Sequence, residues 1–299
     1  MKSFDVVGVG YSSVDYLGIV DKYPPPADVK MPMSQFTKQG GGPVATALVA
    51  LARLGARTAF VGKMGDDEFG NFMKSRLEKE SVDISRVVTE PGASSQFAFI
   101  IVDQATGERT ILWSQSDVSP LYTREMDREF VTSAQILHLD GLQMEASLAA
   151  ARWAKEADMT VVLDGDTVRP GIEELIGLTD VLITSRNFAV QFTGEHDLEK
   201  AMYEMRSLGP GIVGITLGAQ GCVLSRETTI LREPAFEVEV VDTTGAGDVF
   251  HGAFIYGLLK NWQLKETAQF ANAVAAMKCR KLGGRAGIPT LDEVMAFLK

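Results

Sequence analysis

The chain has 299 residues, 45% hydrophobic and 23% charged, with a formal net charge of -10. That length suits one large α/β domain with a sizeable core or two smaller ones. The acidic balance, with no compensating basic block, disfavours nucleic acid and anionic membrane as partners, though a few local cations could still hold a small anionic substrate. Two distant cysteines, Cys222 and Cys279, read as buried small hydrophobes of a reduced, cytoplasmic protein rather than as a disulfide scaffold. No secretory h-region and no membrane-length apolar run is expected.

The first predicted strand is Asp5–Val9. Gly8-Val9-Gly10 ends it, but a dinucleotide fingerprint needs a third glycine where Ser13 stands, so the motif is rejected; an NAD-dependent oxidoreductase would rest on it alone, and absence of nicotinamide binding would close that reading. Asp15 is read as lying just past this strand, where an open α/β sheet presents its carboxyl ends and a carboxylate can accept bonds from two neighbouring hydroxyls. Residues 11–39, with Pro24-Pro25-Pro26, carry little helical pattern. Gly40-Gly41-Gly42-Pro43 then precedes a helix of small residues over Val44–Arg53, and backbone without side chains lets a ligand approach closely. Strand Thr58–Val61 and helix Phe69–Lys79 follow.

A hairpin is predicted over Phe97–Val102 and Arg109–Trp113. Its apolar residues, Phe97, Phe99, Ile111 and Trp113, need a surface to cover, which suggests a lid or a dimer clasp. Strands Ile136–Leu139, Thr160–Leu163, Val181–Thr184, Ile212–Thr216 and Cys222–Ser225 then alternate with helices Leu148–Ala157, Leu198–Leu208, Ala246–Lys260, Leu264–Arg280 and Leu291–Leu298. Such alternation predicts an α/β fold: a central, mainly parallel sheet with helices on both faces. No linker divides the chain and no repeat is visible, so residues 1–299 read as a single domain with lid segments 11–39 and 94–114 inserted.

The most informative stretch is Val241–Phe254. A strand over Phe236–Val241 is expected to enter the turn Gly245-Ala246-Gly247, after which Asp248 opens an apolar helix. Backbone N–H groups and the helix dipole at such a turn suit a phosphate. A carboxylate beside that cradle is badly placed to bind phosphate and well placed to take a proton from an attacking hydroxyl. Read alone, Gly-x-Gly-Asp is only a capped turn. His251, further along the helix, reads as a packing residue or one that supports the site from behind, rather than as a base.

The whole string Asp242–Asp248 resembles a signature of the PfkB/ribokinase-like carbohydrate kinases. The Gly40–Gly42 region and Gly62–Gly70 are similar to that family's other signature, with Thr46 where the family usually has Asn. Thr216-Leu217-Gly218-Ala219-Gln220-Gly221 resembles its nucleotide element, and Gly283–Pro289 its loop beside the adenine and a monovalent-cation site. The resemblance covers essentially the full length. It implies a ribokinase-like fold with a small β lid, and transfer of the γ-phosphoryl group of ATP, with Mg2+, to a hydroxyl of a sugar or sugar derivative.

By the same resemblance Asp248 is the general base, with Gly245, Ala246 and Gly247 as anion hole. Asp15, Lys30, Gly41, Gly42, Thr46, Gln96, Arg109 and Asp140 would meet the acceptor. Thr216, Gly218, Gly221, Ser185, Gly284 and Thr244 would meet the nucleotide, and Asp242 and Thr244 a K+ ion. The family's Asn-x-x-Glu falls on Ser185 and Phe188, so its magnesium-organising glutamate is missing. Asp166 is the proposed replacement, holding Mg2+ through water.

Ser94-Ser95-Gln96 and the Gly283–Pro289 loop resemble most the branch containing bacterial sulfofructose kinases. Leu142 and Trp113 depart from that branch, which leaves the acceptor open among sulfonated, neutral and acidic sugars and, more weakly, nucleosides. A catalytically weak sugar- or nucleotide-binding regulatory protein is the second reading, motivated by the missing glutamate. The apolar hairpin and the family's pairing of lids imply a homodimer.

Overall fold

The computed structural model describes residues 2–24 and 30–299. Pro25 and Pro26 of the predicted lid segment lie outside the described residues.

The amino-terminal part runs β1 (Val6–Val9), β2 (Ser13–Val20), β3 (Gln35–Gly41), α1 (Pro43–Arg53), β4 (Thr58–Val61), β5 (Lys63–Gly65), α2 (Glu68–Lys79), β6 (Val82–Asp83) and β7 (Val88–Glu90). The hairpin β8 (Phe97–Asp103) and β9 (Arg109–Ser114) comes next, then α3 (Arg128–Val131), β10 (Ile136–Leu139), α4 (Met144–Glu156), β11 (Thr160–Gly165), α5 (Ile172–Gly177) and β12 (Val181–Ser185). The chain closes with α6 (Arg186–Thr193), α7 (Leu198–Ser207), β13 (Ile212–Thr216), β14 (Cys222–Arg226), β15 (Thr229–Glu233), α8 (Ala246–Leu259), α9 (Leu264–Lys278) and α10 (Leu291–Phe297).

Nine strands form the central sheet in the order β15-β14-β13-β12-β11-β10-β1-β4-β6. Those from β13 to β6 are parallel, and β14 and β15 extend one edge antiparallel. The inner strands are apolar on both faces because helices cover both. One core lies under α1, α8 and α9 around Leu48, Phe254 and Phe270; the other lies under α4 to α7 around Leu137, Leu163 and Phe188. Gly8 and Gly252 allow the close packing on α1: a Cβ at Gly8 would strike Val44 and Leu48, and one at Gly252 would meet the carbonyl of Ala47. The rejected Gly8-Val9-Gly10 motif therefore has a packing role.

A second, four-stranded sheet, β3-β2-β8-β9, forms the expected lid. Its alternation is strict. Asp15, Leu17 and Ile19 pair with Ala98, Ile100 and Val102, which in turn face Trp113, Ile111 and Arg109. That face covers the body of the molecule, with Leu282 packed beneath it. The opposite face gathers Tyr16, Phe36 and Phe99; the Tyr16 and Phe99 rings lie 5.3 Å apart, and Phe36 and Phe99 are 58% and 51% exposed. So residues 11–39, which show no helical period, form two lid strands, and Asp15 lies inside one of them rather than just past the first strand.

The expected strand at Phe236–Val241 does not form. β15 already takes the outer edge of the sheet, so the Phe-Glu-Val-Glu-Val alternation has no partner there. Among the described residues, no helix is long and apolar enough to cross a membrane.

Candidate active site

The carboxyl ends of the parallel strands open on one crevice. Gly10 follows β1, Asp140 follows β10, Asp164 sits near the end of β11 with Asp166 just beyond it, and Ser185 and Thr216 end β12 and β13. Strand order reverses around β1, the arrangement in which open α/β sheets place ligands. The lid covers one side of this crevice and the start of α8 forms its floor.

At the floor, Gly245 has φ +74, and a Cβ there would stand 2.9 Å from the Cα of Gly284. Only glycine suits both constraints. The N–H of Ala246 closes a turn onto the carbonyl of Thr243 at 3.2 Å. Among the described residues, the N–H groups of Gly245, Gly247 and Asp248 have no backbone acceptor. Nothing lies within 4 Å of where a Cβ of Gly247 would be, so the turn is open at that residue, and free N–H groups at a helix start suit an anion.

The Asp248 carboxylate accepts no hydrogen bond from the described residues. Burial pushes its pKa up to about 6; the charge of Asp166 adds to this, and Arg109 and Arg285 oppose it. Its neighbour Asp164 is held well above the usual carboxylate range by burial and by the fields of Asp248 and Asp166. His251 plays the packing role expected of it: Nδ1 lies 2.8 Å from the carbonyl of Gly247 and Nε2 3.2 Å from that of Ile183.

On the acceptor side, the buried Asp15 accepts from Ser13 Oγ at 2.8 Å, and burial raises its pKa. Gly41 lies alongside, where any side chain would collide with that carboxylate. Gly42, with φ +92, turns the end of β3 into α1. Asp140 accepts from the backbone N–H groups of Tyr11 at 2.8 Å and Leu142 at 2.9 Å, and burial pushes it to about 6. Arg109 reaches from the lid to Thr243 Oγ1 at 2.9 Å. Three predicted acceptor residues are otherwise placed. Thr46 Oγ1 accepts from Arg285 Nε at 3.2 Å, the Gln96 amide donates to the carbonyl of Ser12, and Lys30 lies exposed on the approach to β3.

On the other side of the α8 turn lies a cavity of about 540 Å³. Thr216, Gly218, Gly221, Ala246 and Gly247 line it, with Phe250 and Asn272. Phe236, Val238 and Val240 of the missing strand form part of its wall. Three residues predicted for the nucleotide do not line it. Ser185 Oγ caps α6 by accepting from the N–H of Phe188 at 3.1 Å, Thr244 is buried against Asp242, and Gly284 backs Gly245.

Asp242 is fully buried. One carboxylate oxygen accepts from Thr244 N at 2.8 Å and Thr244 Oγ1 at 2.7 Å, and the other accepts from Gly283 N at 2.7 Å. Its carbonyl accepts from the Nζ of the buried Lys278 at 2.8 Å. Phe188, at the position of the missing glutamate, is fully buried and stacks on Phe192 with centroids 5.7 Å apart. Asp166 is exposed at the end of β11, its charge felt by both Asp248 and Asp164.

Sequence reasoning missed Arg285 and Gln39. Arg285 is buried and donates from Nη2 to the carbonyl of Gly41 at 2.7 Å. Gln39 donates to the carbonyl of Leu282 at 2.9 Å and accepts from Arg285 N at 3.2 Å. An arginine inside a glycine-rich loop was the available signal for the first; the second had none.

The model of the pfkB family carbohydrate kinases matches residues 3–291. The chain belongs to that family. Its relatives include a ribokinase of Haemophilus influenzae, 31% identical over 91% of this chain and 95% of that protein. A probable fructokinase-3 of Arabidopsis thaliana is 28% identical over 94% of this chain and 89% of that one. Among solved structures, a putative ribokinase from Agrobacterium tumefaciens superposes with a TM-score of 0.92 at 27% identity, covering 99% of this chain and 97% of that one. The fold of this carbohydrate kinase is thus ribokinase-like, with its parallel sheet and β lid as predicted.

Proposed function

We propose that this kinase transfers the γ-phosphoryl group of ATP to a hydroxyl of a sugar or sugar derivative, with Asp248 as general base. The observation that carries the reading is the unpartnered Asp248 carboxylate. Asp248 directly follows Gly247, which lines the cavity of about 540 Å³, and it feels the charge of Asp15 from the acceptor side.

Asp15 and Asp140 accept from acceptor hydroxyls and orient them. Asp248 takes the proton of the attacking hydroxyl as its oxygen bonds to the γ-phosphorus, and the bond from that phosphorus to the bridging oxygen of ADP breaks. The N–H groups of Gly245, Gly247 and Asp248 stabilise charge on the transferring group. Arg109 holds the lid onto Thr243 and lowers the Asp248 pKa. Mg2+, when bound with the nucleotide, neutralises charge on its phosphates; the exposed Asp166 would hold it, and the mutually repelling acids around it leave a demand for such a cation.

The relatives name different sugars at similar identity, so they do not choose the acceptor. Trp113, 65% exposed on the cleft face of the lid, offers a ring for a sugar to stack on. The outer aromatic face of the lid, around Tyr16, Phe36 and Phe99, supports a homodimer made lid to lid. One observation favours the second reading, a binding protein with weak catalysis: Phe188 puts a buried ring where the family carries an acid.

The test is ADP release with Mg-ATP across a panel of ketoses, aldoses, sugar acids, sulfosugars and nucleosides. Strong stimulation by one compound is expected. Silence across the panel with nucleotide binding retained would favour the binding protein.

A further inference from the structure

The resemblance implies a K+ ion at Asp242 and Thr244, and the residues present do not fit one. The carboxylate of Asp242 already accepts three bonds from Thr244 and Gly283, and the Thr244 hydroxyl donates inward to it. The Asp242 carbonyl faces the Nζ of Lys278 at 2.8 Å. A metal cation seated on these oxygens would lie against that ammonium and be repelled by it.

We infer that the Lys278 ammonium is the cation of this site: a positioning group built into the chain that takes the place of a monovalent ion. Lys278 is fully buried at the last turn of α9, with the Asp242 carbonyl as the only hydrogen-bond acceptor of its Nζ among the described residues. Long cationic side chains are rarely buried so completely without a nearby opposite charge; here Nζ is bonded to the backbone carbonyl of Asp242, and that residue's buried carboxylate supplies the favourable charge. The Asp242 backbone is held from a second direction, because its N–H and that of Val241 both donate to the carbonyl of Cys279, the residue after Lys278. The end of α9 therefore fixes the extended segment that leads into Gly245, and with it the aim of the N–H groups at the start of α8. Burial lowers the Lys278 pKa, and the negative charges of Asp242 and, more weakly, Asp248 oppose this and favour the ammonium. Positive charge behind a phosphate cradle favours bound phosphate, as a metal cation there would.

This rests on the reading of the turn as a phosphate cradle, and its test separates the two. Melting temperature and MgADP affinity are measured in KCl and in N-methylglucamine chloride at equal ionic strength, for wild type, Lys278→Met and Lys278→Ala. Wild type is expected to show the same melting temperature and affinity in both salts. Lys278→Met keeps the volume without the charge and is expected to bind MgADP about tenfold more weakly in either salt. Lys278→Ala, which opens a space lined by oxygens, is expected to recover stability and affinity in KCl alone, a response that lost packing would not produce. A wild type stabilised or tightened by K+ would overturn the inference, as would a Lys278→Met with unchanged affinity. If neither variant folds, the wild-type comparison decides alone. Absence of turnover with every acceptor would count against the kinase chemistry and leave the melting comparison intact.

Discussion

Asp242 and Asp248 stand at the two ends of one glycine turn and have opposite surroundings. Asp242 is fully buried, with both carboxylate oxygens bonded and a lysine on its carbonyl. Asp248 is half-buried and its carboxylate has no partner among the described residues. Satisfied hydrogen bonds make a carboxylate structural and inert, whereas an unsatisfied one beside other acids is costly to keep and chemically available. A single turn thus separates the group that holds the loop from the group proposed as the base.

The largest expected effect breaks the reactive end. Asp248→Asn should lower kcat by roughly 10²–10⁴-fold with the fold intact, read by steady-state ADP release. Near-normal turnover would remove Asp248 as base. The structural end should fail differently: Asp242→Ala leaves the N–H and hydroxyl of Thr244 and the N–H of Gly283 without their acceptor, while Lys278 keeps its bond to the carbonyl of residue 242, so a loss of about 2–4 kcal/mol in unfolding free energy is expected in denaturant titration.

The acid limb sharpens the contrast. Asp248 is pushed up to about 6, and as a base it must be ionised, so kcat/KM should fall below that pH and level off above it. Arg109 lowers that pKa, so Arg109→Ala should move the limb to higher pH. The same shift works against stability. A carboxyl raised in the folded state from 3.8 to about 6 contributes stability below pH 3.8 that is lost as pH rises through about 6. Asp248→Asn should therefore melt above wild type at pH 8, by roughly 2–4 °C, and match it near pH 4. The smallest effect concerns the lid. Phe99→Ser on its outer face should weaken self-association in sedimentation velocity and leave melting nearly unchanged.

Much of the scaffold was legible in the sequence because it follows from period and punctuation. The hairpin at Phe97–Asp103 and Arg109–Ser114 was placed to within a residue, and β4, β10 and β13 match residue for residue. Phe236–Val241 misled because alternation records a half-buried extended chain and not whether a partner strand exists. Helix α6 was missed although Ser185 and the left-handed Gly194 cap it, since its eight residues are too few to show a clear period. At the site, Thr216, Gly218 and Gly221 line one cavity with Ala246 and Gly247 of the glycine turn, which Asp248 follows. The partners of Thr46, Gln96, Ser185 and Thr244 were not legible, because a hydroxyl or amide in a motif does not disclose which neighbour, Arg285, Ser12, Phe188 or Asp242, it is bonded to.

Gln39 carries a consequence for the order of events. It lies in the lid strand β3 and bonds on both sides to the loop at Leu282 and Arg285, next to the Gly283 that holds Asp242. The inner edge of the lid and the loop behind the glycine turn are therefore joined through this one side chain. Drawing the lid down on a sugar moves the nucleotide half with it, so each co-substrate should tighten the other by the same factor, as reciprocity of binding free energies requires. Severing that strap in Gln39→Ala should turn a cooperative ternary complex into two independent binding events.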